Sequence, residues 1–89
     1  MTIHVEHEPG RFFAGIEAVE AEVVYERRGD VLDVQHTYTP PALRGRVIAA
    51  RLTEAVFAYA RAERLRVIPT CPYTRRWVAR HPEVASLLV

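Results

Sequence analysis

The hydrophobic period of the chain changes at Pro40-Pro41, and this change limits the folds that the sequence can adopt. Before the two prolines, from Val19 to Tyr38, apolar and polar residues alternate with a period of two, which is typical of half-buried β-strands. After them the apolar residues fall on one face of an α-helix. They are Ile48, Leu52, Ala55, Val56 and Tyr59. The succession predicts an α/β (α+β) domain in which strands precede a helix.

The strands are predicted in pairs. Short strands are expected at 3–6 and 11–16, on either side of a turn at Pro9-Gly10. A longer hairpin joins 19–26 to 31–38, and its turn contains Gly29, which is free to take a positive φ. Strict alternation assigns four residues of the second strand of this hairpin to its apolar face. They are Leu32, Val34, His36 and Tyr38.

The second half of the chain predicts a crossover. A helix should begin after Ala42 and end near Glu63 or Arg64, and a strand should follow at 66–70. Such a strand–helix–strand unit joins two parallel strands. A last helix should open at Cys71-Pro72, because proline suits the first helical position, and end before His81-Pro82. The tail has room for one more turn.

Length and charge exclude several functional classes. The 89 residues indicate one domain that spans 1–89. A net charge of +1 gives no strong field for nucleic acid or an anionic membrane, and we find no apolar run of about 18 residues, the length that spans a bilayer. The N-terminus lacks the apolar core of a signal peptide. One cysteine allows no disulfide within the chain.

From the low net charge and the lack of a membrane-spanning run or signal peptide, we expect a soluble, cytoplasmic protein without nucleic-acid or membrane partners.

The turn after Pro40-Pro41 is a candidate phosphate site. A strand ends there, a segment with Arg44, Gly45 and Arg46 follows, and a helix begins. Helix N-termini carry unpaired N–H groups and a partial positive charge, so a pyrophosphate would bind well with the two arginines beside it. An ordinary strand-to-helix turn with solvated arginines explains the same residues equally well.

Cys71 is a candidate reactive group because it lies where a strand meets the start of a helix. Cysteine pKa values fall at helix N-termini and near cations, which makes the thiolate a nucleophile or an acid/base group. The alternative is a buried, inert cysteine. His36 is expected near Cys71, as a base or an orienting group; the alternative is a core histidine bonded to a backbone carbonyl. No histidine set has the spacing of a zinc site, so no metal is expected.

Two blocks of sequence resemble the minimal, single-domain branch of the GNAT acetyltransferases. The first runs from Gln35 to Arg46, and the second is Ile68-Pro69-Thr70-Cys71-Pro72-Tyr73, followed by Val78 and His81-Pro82. With the helix between them they cover roughly residues 31–83. The resemblance implies a GNAT-like mixed sheet: antiparallel N-terminal strands, a β-α-β crossover and a C-terminal helix.

The same resemblance implies that acetyl-CoA binds where two central parallel strands separate. It makes Cys71 a candidate catalytic residue, with His36 as its possible partner. It also implies a set of cofactor-binding residues, from the strand end, the turn and the last helix. These are Tyr38, Thr39, Arg44, Gly45, Arg46, Val47, Ile48, Ala49, Tyr73 and Arg76.

Val47 departs from the family pattern, because it stands where the GNAT turn has its second glycine. A β-branched side chain there crowds the approach to the phosphates and stiffens the turn. We expect weaker CoA binding or a shifted phosphate position, and the change is also compatible with a loss of catalysis.

Two functional hypotheses follow. The first is an acetyl-CoA-dependent acyltransferase acting on an unidentified amine or small nucleophile, either through an acetylated Cys71 or by direct transfer with Cys71 or His36 handling the proton. The second is a non-catalytic CoA-binding or protein-interaction module on the same scaffold. A cysteine hydrolase or redox protein is less favoured, because there is no second cysteine. Apolar residues 87–89 are compatible with a monomer or a weak homodimer.

Overall fold

A computed structural model describes residues 3–44 and 47–89. Within them, one mixed sheet of five strands has the order β1-β2-β3-β4-β5. The strands are β1 (Glu6–Glu8), β2 (Arg11–Ile16), β3 (Val19–Arg28), β4 (Val31–Tyr38) and β5 (Arg66–Pro69). The first four pair antiparallel in sequence order, and β4 pairs with β5 in parallel.

Two α-helices and two 3₁₀ segments complete the described chain. The helices are α1 (Ile48–Glu63) and α2 (Pro72–Ala79), and the 3₁₀ segments are Pro41–Leu43 and Pro82–Leu87. The predicted mixed α+β architecture is confirmed, including the parallel pair on either side of α1. None of the described helices is long and apolar enough to cross a membrane.

The largest differences from the predicted boundaries lie at the first strand and at the start of the first helix; β3 also extends to Arg28, and β5 ends at Pro69. The first strand does not run over 3–6 but begins at Glu6, because the turn at Pro9-Gly10 is tight and the residues that flank it pair directly, Glu8 with Arg11. The first helix does not continue from Ala42. A 3₁₀ turn ends at Leu43, and α1 starts only at Ile48, beyond the region of the two prolines.

Both helices cover the same face of the sheet, and the core lies between them and the strands. The ring of Phe57 on α1 stacks on that of Trp77 on α2, with centroids 5.3 Å apart. Leu52 and Val56 of α1 are fully buried. They share the core with apolar residues of β3, β4 and β5. These are Ala21, Val23, Tyr25, Leu32, Val34 and Val67.

A β-bulge interrupts the alternation of β4. Tyr25 of β3 lies opposite Val34, but the next residue, Val24, lies opposite His36, so Gln35 has no residue facing it. One extra residue reverses the side on which every later side chain of the strand lies. Thr37, opposite the buried Val23, therefore faces the core and the helices.

Candidate active site

The parallel strands separate after four paired residues. Their register runs from Val31 opposite Arg66 to Val34 opposite Pro69, where β5 ends. The N–H of Cys71 then donates to the carbonyl of Val34, 2.8 Å away, which is the last backbone bond between the two segments. β4 continues to Tyr38, and in the described part of the chain no strand pairs with this side of residues 35–38. A bound ligand can reach this edge of the sheet.

The bulge decides which side chain meets Cys71. The Cys71 sulfur lies 3.4 Å from the hydroxyl oxygen of Thr37, within hydrogen-bond distance. His36 is exposed and lies opposite Val24 on the other face of the sheet. Its expected place on the apolar face is therefore wrong, and so is that of Tyr38, which is 45% exposed. The structure does not bring His36 to Cys71.

Cys71 occupies the position that immediately precedes α2, as the sequence predicts, and only 4% of its surface is exposed. Burial is the largest single influence on the thiol and raises its pKa. Four polar groups favour the anion and together outweigh burial, so the net pKa is lowered. They are the Thr37 hydroxyl, the backbone amides of Thr74 and Tyr73, and the Thr74 hydroxyl. The environment of this thiol thus favours the thiolate, which is the nucleophilic form.

A cavity of about 350 Å³ opens between the end of β4, the start of α1 and the start of α2. This volume lies in the range of small-molecule sites. The residues that line it are Thr39, Leu43, Arg44, Val47, Ile48, Ala49, Ala50 and Tyr73. Six of the predicted cofactor-binding residues are thus brought together, whereas Tyr38 and Arg76 do not line the cavity, and Gly45 and Arg46 lie outside the described residues.

The start of α1 leaves its N–H groups available to an anion. Among the residues that the structure describes, no side chain caps this end of the helix, and the first turn contains no acidic residue that would neutralise the positive end of the helix dipole. The residue at the cap position is Val47, which is 65% exposed and has a φ of 52°. A positive φ favours glycine, which explains in backbone terms why the GNAT pattern has glycine at this position.

Two further side chains shape the mouth of the cavity. The Nε of Arg44 donates to the carbonyl of Thr39, 3.1 Å away, and so holds the turn against the end of β4. Tyr73 is half-buried, and burial raises the pKa of its phenol; the charge of Cys71 acts in the same direction, while Arg76 and Arg80 oppose it. The opposing effect of Arg76 indicates that this guanidinium lies near the phenol even though it does not line the cavity.

Sequence reasoning missed four residues of this region. Leu43 and Ala50 line the cavity as apolar wall, for which the sequence contains no specific signal. Thr37 and Thr74, which act on the Cys71 sulfur, were not singled out. Thr74 had a detectable signal, since it follows Cys71 by three residues at the start of a helix, where the two side chains share a face.

Within residues 3–44 and 47–89, no three His, Cys, Asp or Glu side chains are close enough together to hold a metal ion. Cavities of about 450 and 570 Å³ also exist, the first at the β2–β3 hairpin and the second beside His7, Tyr25 and Tyr59. Neither is lined by the start of α1 or by a residue of α2, so we assign the candidate site to the cavity of about 350 Å³. Cys71 does not line that cavity, but Tyr73, two residues later, does.

Comparison with known proteins relates the chain to one family. Residues 11–87 match the model of a family described as GCN5-related N-acetyl-transferase. Protein NATD1 of Bos taurus is 40% identical over 63 residues, which are 70% of this chain and 56% of that protein. Protein NATD1 of Homo sapiens is 38% identical over a stretch of the same length. The chain therefore spans a little over half the length of these curated relatives.

A solved structure shares the fold. It is the solution structure of a GCN5-like putative N-acetyltransferase from Staphylococcus aureus, which superposes with a TM-score of 0.74. The match covers 97% of this chain and 87% of the other, at 18% sequence identity. At this identity the likeness concerns the architecture, including the mixed sheet and the helices that flank its parallel pair.

Proposed function

Because this chain belongs to the GCN5-related N-acetyltransferase family, we propose that it transfers an acetyl group from acetyl-CoA to an amine or another small nucleophile. The observation that carries the proposal is the separation of β4 from β5 beside a cavity that is lined by the uncapped start of α1 and by Tyr73, two residues after the buried Cys71. GNAT proteins bind the acyl-CoA thioester at such a gap, and the residues present fit a thioester that carries phosphates.

Three features of the site would bind the parts of acetyl-CoA. The N–H groups at the start of α1 and the nearby Arg44 suit the pyrophosphate. The free edge of β4 offers backbone groups to the amides of the pantetheine arm, as an added strand would use them. The apolar wall formed by Leu43 and Ile48 suits the methylene groups of that arm. Each part of the ligand thus has a partner of matching chemistry.

Cys71 supplies the chemistry in the covalent route. Its thiolate attacks the carbonyl carbon of the thioester, a new S–C bond forms at Cys71, and the bond from that carbon to the CoA sulfur breaks. The CoA sulfur leaves with the electron pair and takes a proton from water. An amine then attacks acetyl-Cys71, the amine loses a proton to water, and the thiolate of Cys71 is released. In the direct route, Cys71 only accepts the proton of the attacking amine.

Val47 favours one alternative function. Val47 has a positive φ at the start of α1, where the phosphates would have to approach the backbone closely, and its β-branched side chain obstructs that approach. A chain that binds CoA weakly or in a shifted position would serve as a non-catalytic CoA-binding or protein-interaction module. This alternative predicts that no free CoA thiol appears with any acceptor.

The covalent route is tested by mass spectrometry of the intact chain after incubation with acetyl-CoA. All twelve basic residues are Arg, so no lysine side chain can accept the acetyl group and confuse the result. We expect one added acetyl group that hydroxylamine removes, as it removes thioesters, and no addition to Cys71→Ala. An unmodified wild-type chain that still releases CoA in the presence of an amine would support direct transfer.

The transferase itself is tested by the release of CoA thiol in the presence of a panel of small amines. Catalysis should need an acceptor and should be lost in Cys71→Ala. Cys71→Ser is the matched control, because a hydroxyl keeps the size of the group at the cap of α2 while its high pKa prevents thiolate chemistry. If acetyl-CoA binds but no amine leads to the release of more than one CoA per protein chain, the transferase function is contradicted. The non-catalytic CoA-binding module then remains as the function.

A further inference from the structure

Thr74 is a buried polar residue with no evident structural purpose. Its side chain is 0% exposed, and its hydroxyl oxygen has no hydrogen-bond partner among residues 3–44 and 47–89. Threonine hydroxyls in helices usually donate to the carbonyl four residues earlier, as Thr53 does to Ala49 at 2.8 Å. The equivalent carbonyl for Thr74 is that of Thr70, which accepts from the Arg75 guanidinium at 2.9 Å.

An unpartnered buried hydroxyl costs stability, because the group loses its water without gaining a bond. A valine would fill the same volume at no such cost. No hydrogen bond among the described residues therefore explains why a hydroxyl is present at position 74. Cys71 lies one helical turn earlier, at the cap of α2, where residues three apart share a face, and its sulfur is a group that can change its charge. The Thr74 hydroxyl contributes to lowering the pKa of that thiol.

Two hydrogen bonds hold the backbone of Cys71 in place, one through its N–H and one through its carbonyl. Its N–H donates to Val34 at 2.8 Å, and its carbonyl accepts from the N–H of Arg75 at 3.0 Å. On the strand side the Thr37 hydroxyl lies 3.4 Å from the sulfur. On the helix side lie the first turn of α2 and Thr74. Hydroxyl-bearing residues of two different elements, Thr37 of β4 and Thr74 of α2, thus act on the sulfur.

We propose that Thr74 is a positioning residue for Cys71, whose hydroxyl, opposite that of Thr37, donates to the sulfur when it is an anion. This inference rests on the proposed function. When the thiol loses its proton to water, both hydroxyls rotate to donate to the negative sulfur, and the unpartnered group of Thr74 gains its bond. Hydrogen bonds to a charged group are the strong ones, so they compensate the anion for its burial.

The same pair of hydroxyls would affect both halves of acetyl transfer. Before the reaction they favour the thiolate over the thiol and so raise the concentration of the nucleophile. In acetyl-Cys71 the sulfur carries no charge, and the hydroxyls lose that interaction. They therefore favour departure of the thiolate when an acceptor attacks, since a thiol of low pKa is the better leaving group.

The test is a pH titration of the ultraviolet absorbance of the thiolate, which reports on Cys71 alone because the chain has no other cysteine. Subtraction of the titration of Cys71→Ala removes the tyrosines. We expect Thr74→Val to raise the midpoint by about one pH unit, the size expected for one lost bond to an anion. Thr74→Ser keeps the hydroxyl, so its midpoint should differ from that of wild type by at most about a third of the shift in Thr74→Val.

Thr53→Val is the matched control. It is the same substitution at another buried helical threonine, whose hydroxyl bonds a carbonyl and not the sulfur. It should leave the titration midpoint of Cys71 unchanged. An unchanged midpoint in Thr74→Val, or an equal shift in Thr53→Val, would overturn the proposal. If Thr74→Val does not fold, Thr74→Ala is the second variant without a hydroxyl, and it is judged by the same criterion.

The titration needs no acetyl-CoA, so it separates this inference from the proposed function. A shifted midpoint together with an absence of acetyl transfer in the wild-type chain would leave the role of Thr74 in place and contradict the transferase. Where transfer is observed, the pH at which the rate of CoA release reaches half its maximum should rise in Thr74→Val, as the titration midpoint of Cys71 does.

Discussion

At the scale of single residues, the backbone of Val47 gives the clearest prediction. A β-branched residue at a φ of 52° is strained, and glycine relieves that strain although it loses more chain entropy on folding. We expect Val47→Gly to raise the free energy of unfolding by about 1 kcal/mol, measured by urea denaturation. It should also tighten acetyl-CoA binding, measured by calorimetry, because the phosphates can approach the backbone N–H groups more closely.

Arg64→Gly is the control for Val47→Gly. Arg64 is exposed, has a φ of 59° and lies at the other end of α1, where glycine is the preferred residue. The substitution should stabilise the chain by a similar amount, about 1 kcal/mol, and leave the affinity for acetyl-CoA unchanged. Equal changes of affinity in both variants would show that stability, and not the phosphate contact, controls binding.

At the scale of elements, Asp33 ties the end of β5 to β4. Its carboxylate accepts from the hydroxyl of Thr70, the residue before Cys71, and pairs with Arg28 at 3.1 Å. The hydrogen bond from Thr70 is the main cause of a pKa below the ordinary 3.8, with further bonds from Arg28 and Gln35. We expect Asp33→Asn to reduce the free energy of unfolding by roughly 1 kcal/mol at neutral pH.

The sign of the pH dependence follows from the lowered pKa of Asp33. The carboxylate stabilises the folded chain fully above the unfolded pKa, near 3.8, and this contribution is lost as the pH falls through the lower folded pKa. Urea denaturation at a series of acidic pH values should show a smaller loss of stability on acidification for Asp33→Asn than for wild type. Parallel curves would contradict the assignment.

The strands β3 and β4 and the helix α1 show which parts of the fold can be predicted from the sequence alone. Alternation between Val19 and Tyr38 predicts both long strands, and the helical period predicts α1, because each of these patterns reflects one buried face. Alternation cannot predict the bulge at Gln35, because the residues after it are polar or half-polar and tolerate either face. His36 was therefore assigned to the face that Thr37 occupies.

In the candidate site, too, the sequence predicts some features and not others. The local order of strand, turn, helix and Cys71 predicts which segments meet at the cavity, because the ends of parallel strands lie at one edge of a sheet. Hydroxyl groups that approach the sulfur from separate elements, such as Thr37, depend on the register of the sheet. The register cannot be predicted from a local sequence pattern, because it depends on how separate strands pair.

At the scale of the whole molecule, a folded chain of 89 residues has a thin core, so ligand binding should measurably raise its free energy of unfolding. Leu52 is 0% exposed on the face of α1 that packs on the sheet, and we expect Leu52→Ala to cost about 3 kcal/mol. Acetyl-CoA at about 100 times its Kd should return roughly 2.7 kcal/mol. Thermal unfolding with and without acetyl-CoA measures both effects, and an unchanged melting temperature in saturating ligand would contradict CoA binding.

The central claim is that acetyl-CoA binds in the gap between the end of β4 and the starts of α1 and α2. A titration of the ¹⁵N-labelled chain with acetyl-CoA, followed by amide chemical shifts, tests it most directly. We expect the largest changes at 35–39, at 47–50 and at Tyr73. Changes confined to the cavity of about 570 Å³ beside His7 and Tyr59, or no changes at millimolar ligand, would contradict the account.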